Sequence, residues 1–139
     1  MIKTLTFFLI GVALLGGLLL LSNSDYLPGK QAEFQKAAQP IAERALAALK
    51  AQDLTPLSAQ EQSIVRDISG RLAASKSMPR TSKLHMYRYK MSFDAGARQS
   101  AYFMTTLEID KTSNTLHFQI DDVGQGPQLV QAWIEGQAR

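Results

Sequence analysis

Cysteine is absent from the 139 residues, which excludes disulfide scaffolds, thiolate zinc sites, iron–sulfur clusters and cysteine nucleophiles together. Histidine occurs only at positions 85 and 117, and tryptophan only at 133. A catalytic metal centre needs clustered histidine and carboxylate ligands, and two histidines 32 positions apart do not supply one. GxSxG, P-loop and HExxH patterns are also missing, and Gly124-Gln125-Gly126 is too short to cradle a phosphate. These absences predict a chain that is not an enzyme and binds no cofactor and no metal. Its length leaves room for one modest domain.

Charge is missing from Thr4 to Ser24, where twelve of the twenty-one residues are Leu, Phe, Ile or Val. As a helix that stretch rises about 31 Å, against about 30 Å for the hydrocarbon core of a bilayer. Its large apolar residues contribute on the order of −4 to −7 kcal/mol to insertion. Residues 1–24 are therefore expected to be a membrane anchor inserted through residues 4–24, with 25–30 as a spacer and 31–139 as an exported domain. A cleaved signal peptide is the alternative, since Lys3 precedes the run and Ser22-Asn23-Ser24 follows it. The short N-terminal tail predicts a cytoplasmic N-terminus and a periplasmic domain on a bacterial inner (cytoplasmic) membrane, where lacking cysteine avoids oxidation.

Downstream, helical periodicity comes first. Phe34, Ala38, Ile41, Ala45, Leu46 and Leu49 recur every three or four residues between Gln31 and Gln52, and Pro40 is expected to kink or restart that helix. Ser58-Ala59-Gln60-Glu61 is a capping box, opening a second helix with Ile64, Val65, Ile68 and Leu72 on one face. Alternation then takes over. Leu84–Phe93 places His85, Tyr87, Tyr89, Met91 and Phe93 on one face, with Arg88, Lys90 and Ser92 on the other. Ala101, Phe103, Thr105, Leu107 and Ile109 form one row of the next strand, and Leu116, Phe118 and Ile120 mark a third. Pairing Leu107 with Phe118 aligns both rows and sets Glu108 opposite His117. Leu129, Val130, Trp133 and Ile134 suit either a fourth strand or a short C-terminal helix after Pro127, and the helix is preferred. The predicted fold is α+β: two helices packed on a three- to four-stranded antiparallel sheet, ending in a short helix.

Ala45-Leu46-Ala47-Ala48-Leu49-Lys50-Ala51-Gln52-Asp53, an alanine-rich helix closing at a short acidic turn, resembles the first helix of NTF2-like (cystatin-like) domains. That resemblance implies a helix followed by a curved sheet, and no functional residue is carried over with it. A single-pass span followed by a small α+β domain is also similar to the architecture of respiratory-complex assembly factors.

Charge is segregated. Arg66–Arg98 holds eight basic residues against two acidic ones, and the chain from Gln99 onward holds five acidic against two basic. Arg71, Lys76, Arg80, Lys83, Arg88 and Lys90 form the candidate basic face, for an acidic partner or anionic lipid headgroups; nucleic acid is not expected of an exported domain. Tyr87, Tyr89, Phe103 and Trp133 are the candidate cleft residues. His85 is expected at the core edge and His117 beside Glu108, on opposite sheet faces, while Asp121-Asp122 is expected to cap the amides of a turn. The function these features predict is a membrane-anchored accessory subunit or assembly factor of a larger membrane protein complex, acting by protein–protein contact. The alternative is a periplasmic small-ligand or lipid-headgroup binding module of NTF2-like type.

Overall fold

In the computed structural model, which describes residues 28–93 and 96–136, the first helical stripe becomes α1 (Pro28–Ala51). The expected span at 4–24 lies outside the described residues. Among those described, no helix is long and apolar enough to cross a membrane. α1 starts ahead of the expected Gln31 because Pro28 pre-sets a helical φ and has no N–H to leave unpaired in the first turn. It continues through Pro40, which stands on its exposed side, where water can serve the carbonyl deprived of its partner. The helix closes at Gln52, whose φ is 53°. There the Gln52 N–H reaches the Leu49 carbonyl at 3.2 Å and the Asp53 N–H reaches that of Ala48 at 3.1 Å, the paired bonds of a Schellman closure. Phe34, Ala38, Ala42, Ala45, Ala48 and Leu49 are buried, and the small alanines let the helix backbone lie close to its neighbour.

α2 (Ala59–Ala73) begins with the expected capping box. The Glu61 N–H donates to Ser58 Oγ at 3.2 Å, and the Ser58 N–H donates to Glu61 Oε1 at 3.1 Å. Val65, Ile68 and Leu72 are buried, with Ile64 packed at their margin.

The strands are β1 (Arg80–Thr81), β2 (His85–Ser92), β3 (Arg98–Ile109), β4 (Thr112–Asp122) and β5 (Gln128–Gly136), all antiparallel to their neighbours. β1 and β2 occupy the same edge of β3, and β4 then β5 follow on its other side. Ser82 fills the break between β1 and β2. Its N–H donates to the Thr106 carbonyl at 3.1 Å, its Oγ accepts the Thr106 N–H at 2.8 Å, and its carbonyl accepts the Thr105 hydroxyl at 2.7 Å.

Register differs from the expectation by a whole number of pleats. β3 and β4 are joined by Asp110 and Lys111 alone, with φ of 47° and 69°. Two left-handed residues make the two-residue hairpin turn whose twist matches that of the strands. Phe103, not Leu107, therefore faces Phe118, and Met104, not Glu108, faces His117. An even shift keeps every side chain on its face, so Phe103, Leu107, Leu116, Phe118 and Ile120 all enter the core as their alternation requires. The Asp110 carboxylate also accepts the N–H groups of Lys76 (2.9 Å) and Ser77 (3.0 Å), tying the hairpin to the segment after α2. Asp110→Ala is expected to cost about 1–2 kcal/mol in urea denaturation, through these bonds and the positive φ. Asp110→Asn should recover most of that loss.

The expected C-terminal helix is corrected: Gln128–Gly136 is strand β5. Asp122 Oδ1 accepts the N–H of Gly124 at 2.7 Å and of Gly126 at 3.2 Å. Both glycines have positive φ, and the chain is turned back antiparallel onto β4. A helix there would leave the β4 edge without partners for its amides and carbonyls. As a strand, Leu129 is buried, and Ala132 and Ile134 pack against the same core.

Candidate functional site

Both helices pack on the sheet face that carries Phe103, Leu107, Leu116, Phe118 and Ile120. The candidate site lies on the opposite face and is assembled from four lanes of the sheet. In β2 the pairing slips between Met86 and Arg88. Met86 opposes Phe103 and Arg88 opposes Tyr102, so Tyr87 is the extra residue of a bulge. The bulge resets the alternation: Leu84 is buried and Met86 packs against the core before it, and Tyr89 and Met91 are buried after it. Tyr87 is left facing outward. The expected single row of His85, Tyr87, Tyr89, Met91 and Phe93 is therefore broken.

The bulge delivers the Tyr87 hydroxyl to His117 Nδ1 at 3.0 Å, while Glu135 Oε2 lies 3.0 Å from His117 Nε2. Trp133, opposite His117 in the β4–β5 ladder, stacks flat on the imidazole with centroids 4.8 Å apart and planes 3° from parallel. Tyr87 meets the same imidazole edge-on at 5.5 Å and Tyr102 at a tilt at 6.2 Å, and the Arg88 guanidinium sits 5.6 Å from the Tyr102 ring centre. The His117 side chain is 8% exposed as a result, against 70% for Glu135.

The donor and acceptor roles follow from the chemistry of the groups. An ionised carboxylate only accepts, so Nε2 carries the proton that faces Glu135. In the neutral ring Nδ1 then accepts, and Tyr87 donates. Burial pushes the Tyr87 hydroxyl above its ordinary range, with the Arg88 charge opposing and the Glu135 charge adding to it. Tyr87 therefore remains a donor at neutral pH. Both imidazole nitrogens are satisfied and the ring is clamped on its face and edge. This is a rigid aromatic platform with a positively charged margin, and a hydroxyl held protonated is a poor nucleophile.

The other candidate residues are distributed as follows. Of the four proposed to line a cleft, Tyr87 and Trp133 belong to the open face, but Phe103 and Tyr89 are core. Tyr89 packs on Phe34 at 5.9 Å and donates to Gln99 Oε1 at 2.9 Å. The sheet itself separates the two pairs. His85 is exposed rather than at the core edge, and it opposes Met104, as does His117 from the other side. The two histidines thus share a face instead of lying on opposite ones. Glu108 opposes Ser113 and Arg80, and Glu135 takes the role expected of it beside His117.

The six basic residues do not form one surface. Arg88 and Lys90 are exposed on β2, opposite Tyr102 and Ser100. Arg71 is in the last turn of α2, Lys76 and Lys83 flank β1, and Arg80 lines a cleft of about 600 Å³ with Met78, Glu108 and Lys111 at the β3–β4 turn. Asp122 caps turn amides as expected, and Asp121 accepts the Gln119 amide at 3.1 Å.

Tyr102, Met104 and Glu135 are site residues that sequence reasoning missed. The signal for Glu135 was the alternation of Trp133 and Glu135 against Ala132 and Ile134, obscured by reading that segment as a helix. Away from this face, one guanidinium nitrogen of Arg44 donates to both carboxylate oxygens of Glu61, at 3.0 and 2.8 Å, in an ion pair that joins α1 to the start of α2. Among the described residues, no group of three or more His, Asp or Glu side chains is placed to hold a metal ion. Comparison with protein-family models, with curated proteins and with solved structures finds no match to this chain.

Proposed function

We propose that this protein is a membrane-anchored accessory subunit or assembly factor, with its domain periplasmic, whose open sheet face docks a segment of a larger membrane protein complex. The observation that carries this reading is the platform of Tyr87, Tyr102, His117 and Trp133 on the face opposite the helices, bordered by Arg88 and Lys90. Aromatic residues and arginine dominate the centres of protein interfaces, where rigid rings bury much area at little entropic cost. Arg88 and Lys90 on β2 favour a partner segment carrying carboxylates beside apolar side chains. The NTF2-like ligand-binding alternative has less support. The space it would need between helices and sheet is filled by Phe34, Leu49, Phe103, Phe118 and their neighbours.

The test places a photo-crosslinking residue at Tyr102 in the full chain, in its native membrane, and a second at Glu43 on the exposed side of α1. The expected result is a crosslink from position 102, and not from 43, to an acidic segment of a membrane subunit. Trp133→Ala and Arg88→Glu should each weaken that association about tenfold or more, the size of an interface anchor. A chain that remains monomeric in mild detergent and gives no crosslink from position 102 contradicts the reading.

A further inference from the structure

Phe93 and Val123 are 47% and 65% exposed, and each directly follows the last residue of a strand, β2 and β4 respectively. Ser92 pairs with Arg98 at the root of one hairpin, Asp121 with Gln128 at the root of the other, and the Gln99–Asp122 pair sets the two side by side at one end of the sheet. The first turns of α1 reach the same end, where Lys30, Glu33, Phe34 and Ala37 share a cleft with Gln99 and Asp122. The apolar N-terminal run closes at Leu21, six residues (22–27) before Pro28. Fully extended, six residues span about 20 Å at most.

We infer that the Phe93 and Val123 side chains rest in the interfacial layer of the bilayer that the N-terminal run enters. This rests on reading that run as an anchor. The occupant is lipid, because the short tether keeps this end of the domain near the surface and two exposed apolar side chains at this end suit insertion between headgroups. Charge among the described residues here is balanced, with Lys30, Lys90 and Arg98 against Glu33, Asp121 and Asp122. The contact is therefore apolar and independent of anionic lipid. The opposite end carries Met78, 84% exposed, in a cleft with Arg80, Lys111, Glu108 and Asp110. The twelve residues of β3 separate the two ends by roughly 40 Å, several times the Debye length of about 8–10 Å.

The lack of native cysteine makes the test clean. The full chain is reconstituted into phosphatidylcholine vesicles, with and without phosphatidylglycerol, and carries a nitroxide at F93C, V123C or M78C. Accessibility to oxygen relative to a water-soluble nickel chelate should be several-fold higher at 93 and 123 than at 78, and unchanged by phosphatidylglycerol. If the chain resists carbonate extraction while all three labels are equally aqueous, the inference is overturned and the anchor reading stands. Contact that appears only with phosphatidylglycerol also overturns it. Extraction of the chain by carbonate overturns both.

Discussion

Phe103→Ala is expected to lower the stability of the domain by about 3–5 kcal/mol, the usual cost of emptying a large aromatic site that its surroundings cannot refill. Phe103 has no solvent exposure and lies between Met86 on β2 and Phe118 on β4, so its loss opens a cavity across three lanes of the sheet. Total stabilities of such domains are roughly 5–15 kcal/mol, so the loss is a large share of the whole. The melting temperature should fall by roughly 10–20 °C. In urea the midpoint should drop with little change in slope, since the surface exposed on unfolding is nearly the same. Phe118→Ala should cost a similar amount, and the double variant less than the sum, because the two cavities merge. Tyr102→Ala, one residue along but on the open face, should cost about 1 kcal/mol or less. Equal losses from Phe103→Ala and Tyr102→Ala would contradict the assignment of core and open faces.

Glu61→Gln is expected to remove about 1–3 kcal/mol at neutral pH and to flatten the acid limb of the stability profile. Burial of Glu61 opposes its ionisation. The hydrogen bonds from Arg44 and from the backbone and hydroxyl of Ser58 outweigh burial, so the carboxyl is held below the ordinary glutamate range. A carboxyl depressed in the folded state contributes stability that is complete above its unfolded value, about 4.3. That contribution is lost as pH falls through the lower folded value. The native protein should thus lose stability below about pH 4.3 in part through Glu61, and Glu61→Gln should lose less there. Gln retains the capping-box acceptor, so this variant isolates the ion pair, whereas Glu61→Ala removes the cap as well. The loss stays below the 3–5 kcal/mol typical of a broken buried pair, because the Arg44 side chain is 48% exposed and water can serve it. Thermal unfolding of both variants between pH 3 and pH 7 measures the difference.

The comparison of these two sites shows which information is local. The Glu61 cap is written in four consecutive residues, Ser58 to Glu61, because the bonds of a capping box close within one turn. Its partner Arg44 is not, since the ion pair spans seventeen positions and depends on how α1 crosses α2. The inward facing of Phe103 and Phe118 was legible in the two-residue alternation of their strands, although their direct pairing was not. That pairing depends on a two-residue turn formed by Asp110 and Lys111, neither of which is the glycine that usually marks such a turn.

The sequence by itself determined the two amphipathic helices, the core rows of β3 and β4 and the uncharged run at residues 4–24, because each is a pattern over nearby residues. Tertiary structure decided the rest. Gln128–Gly136 had near-equal claims to helix and strand, and the unpaired edge of β4 decided for strand. The bulge at Tyr87 and the even shift in register between β3 and β4 then brought Tyr87, His117 and Glu135 together from three strands. Residues 18 and 30 positions apart leave no periodic trace of such a meeting, because pairing between strands is set by the energy of the whole sheet and not by any one segment.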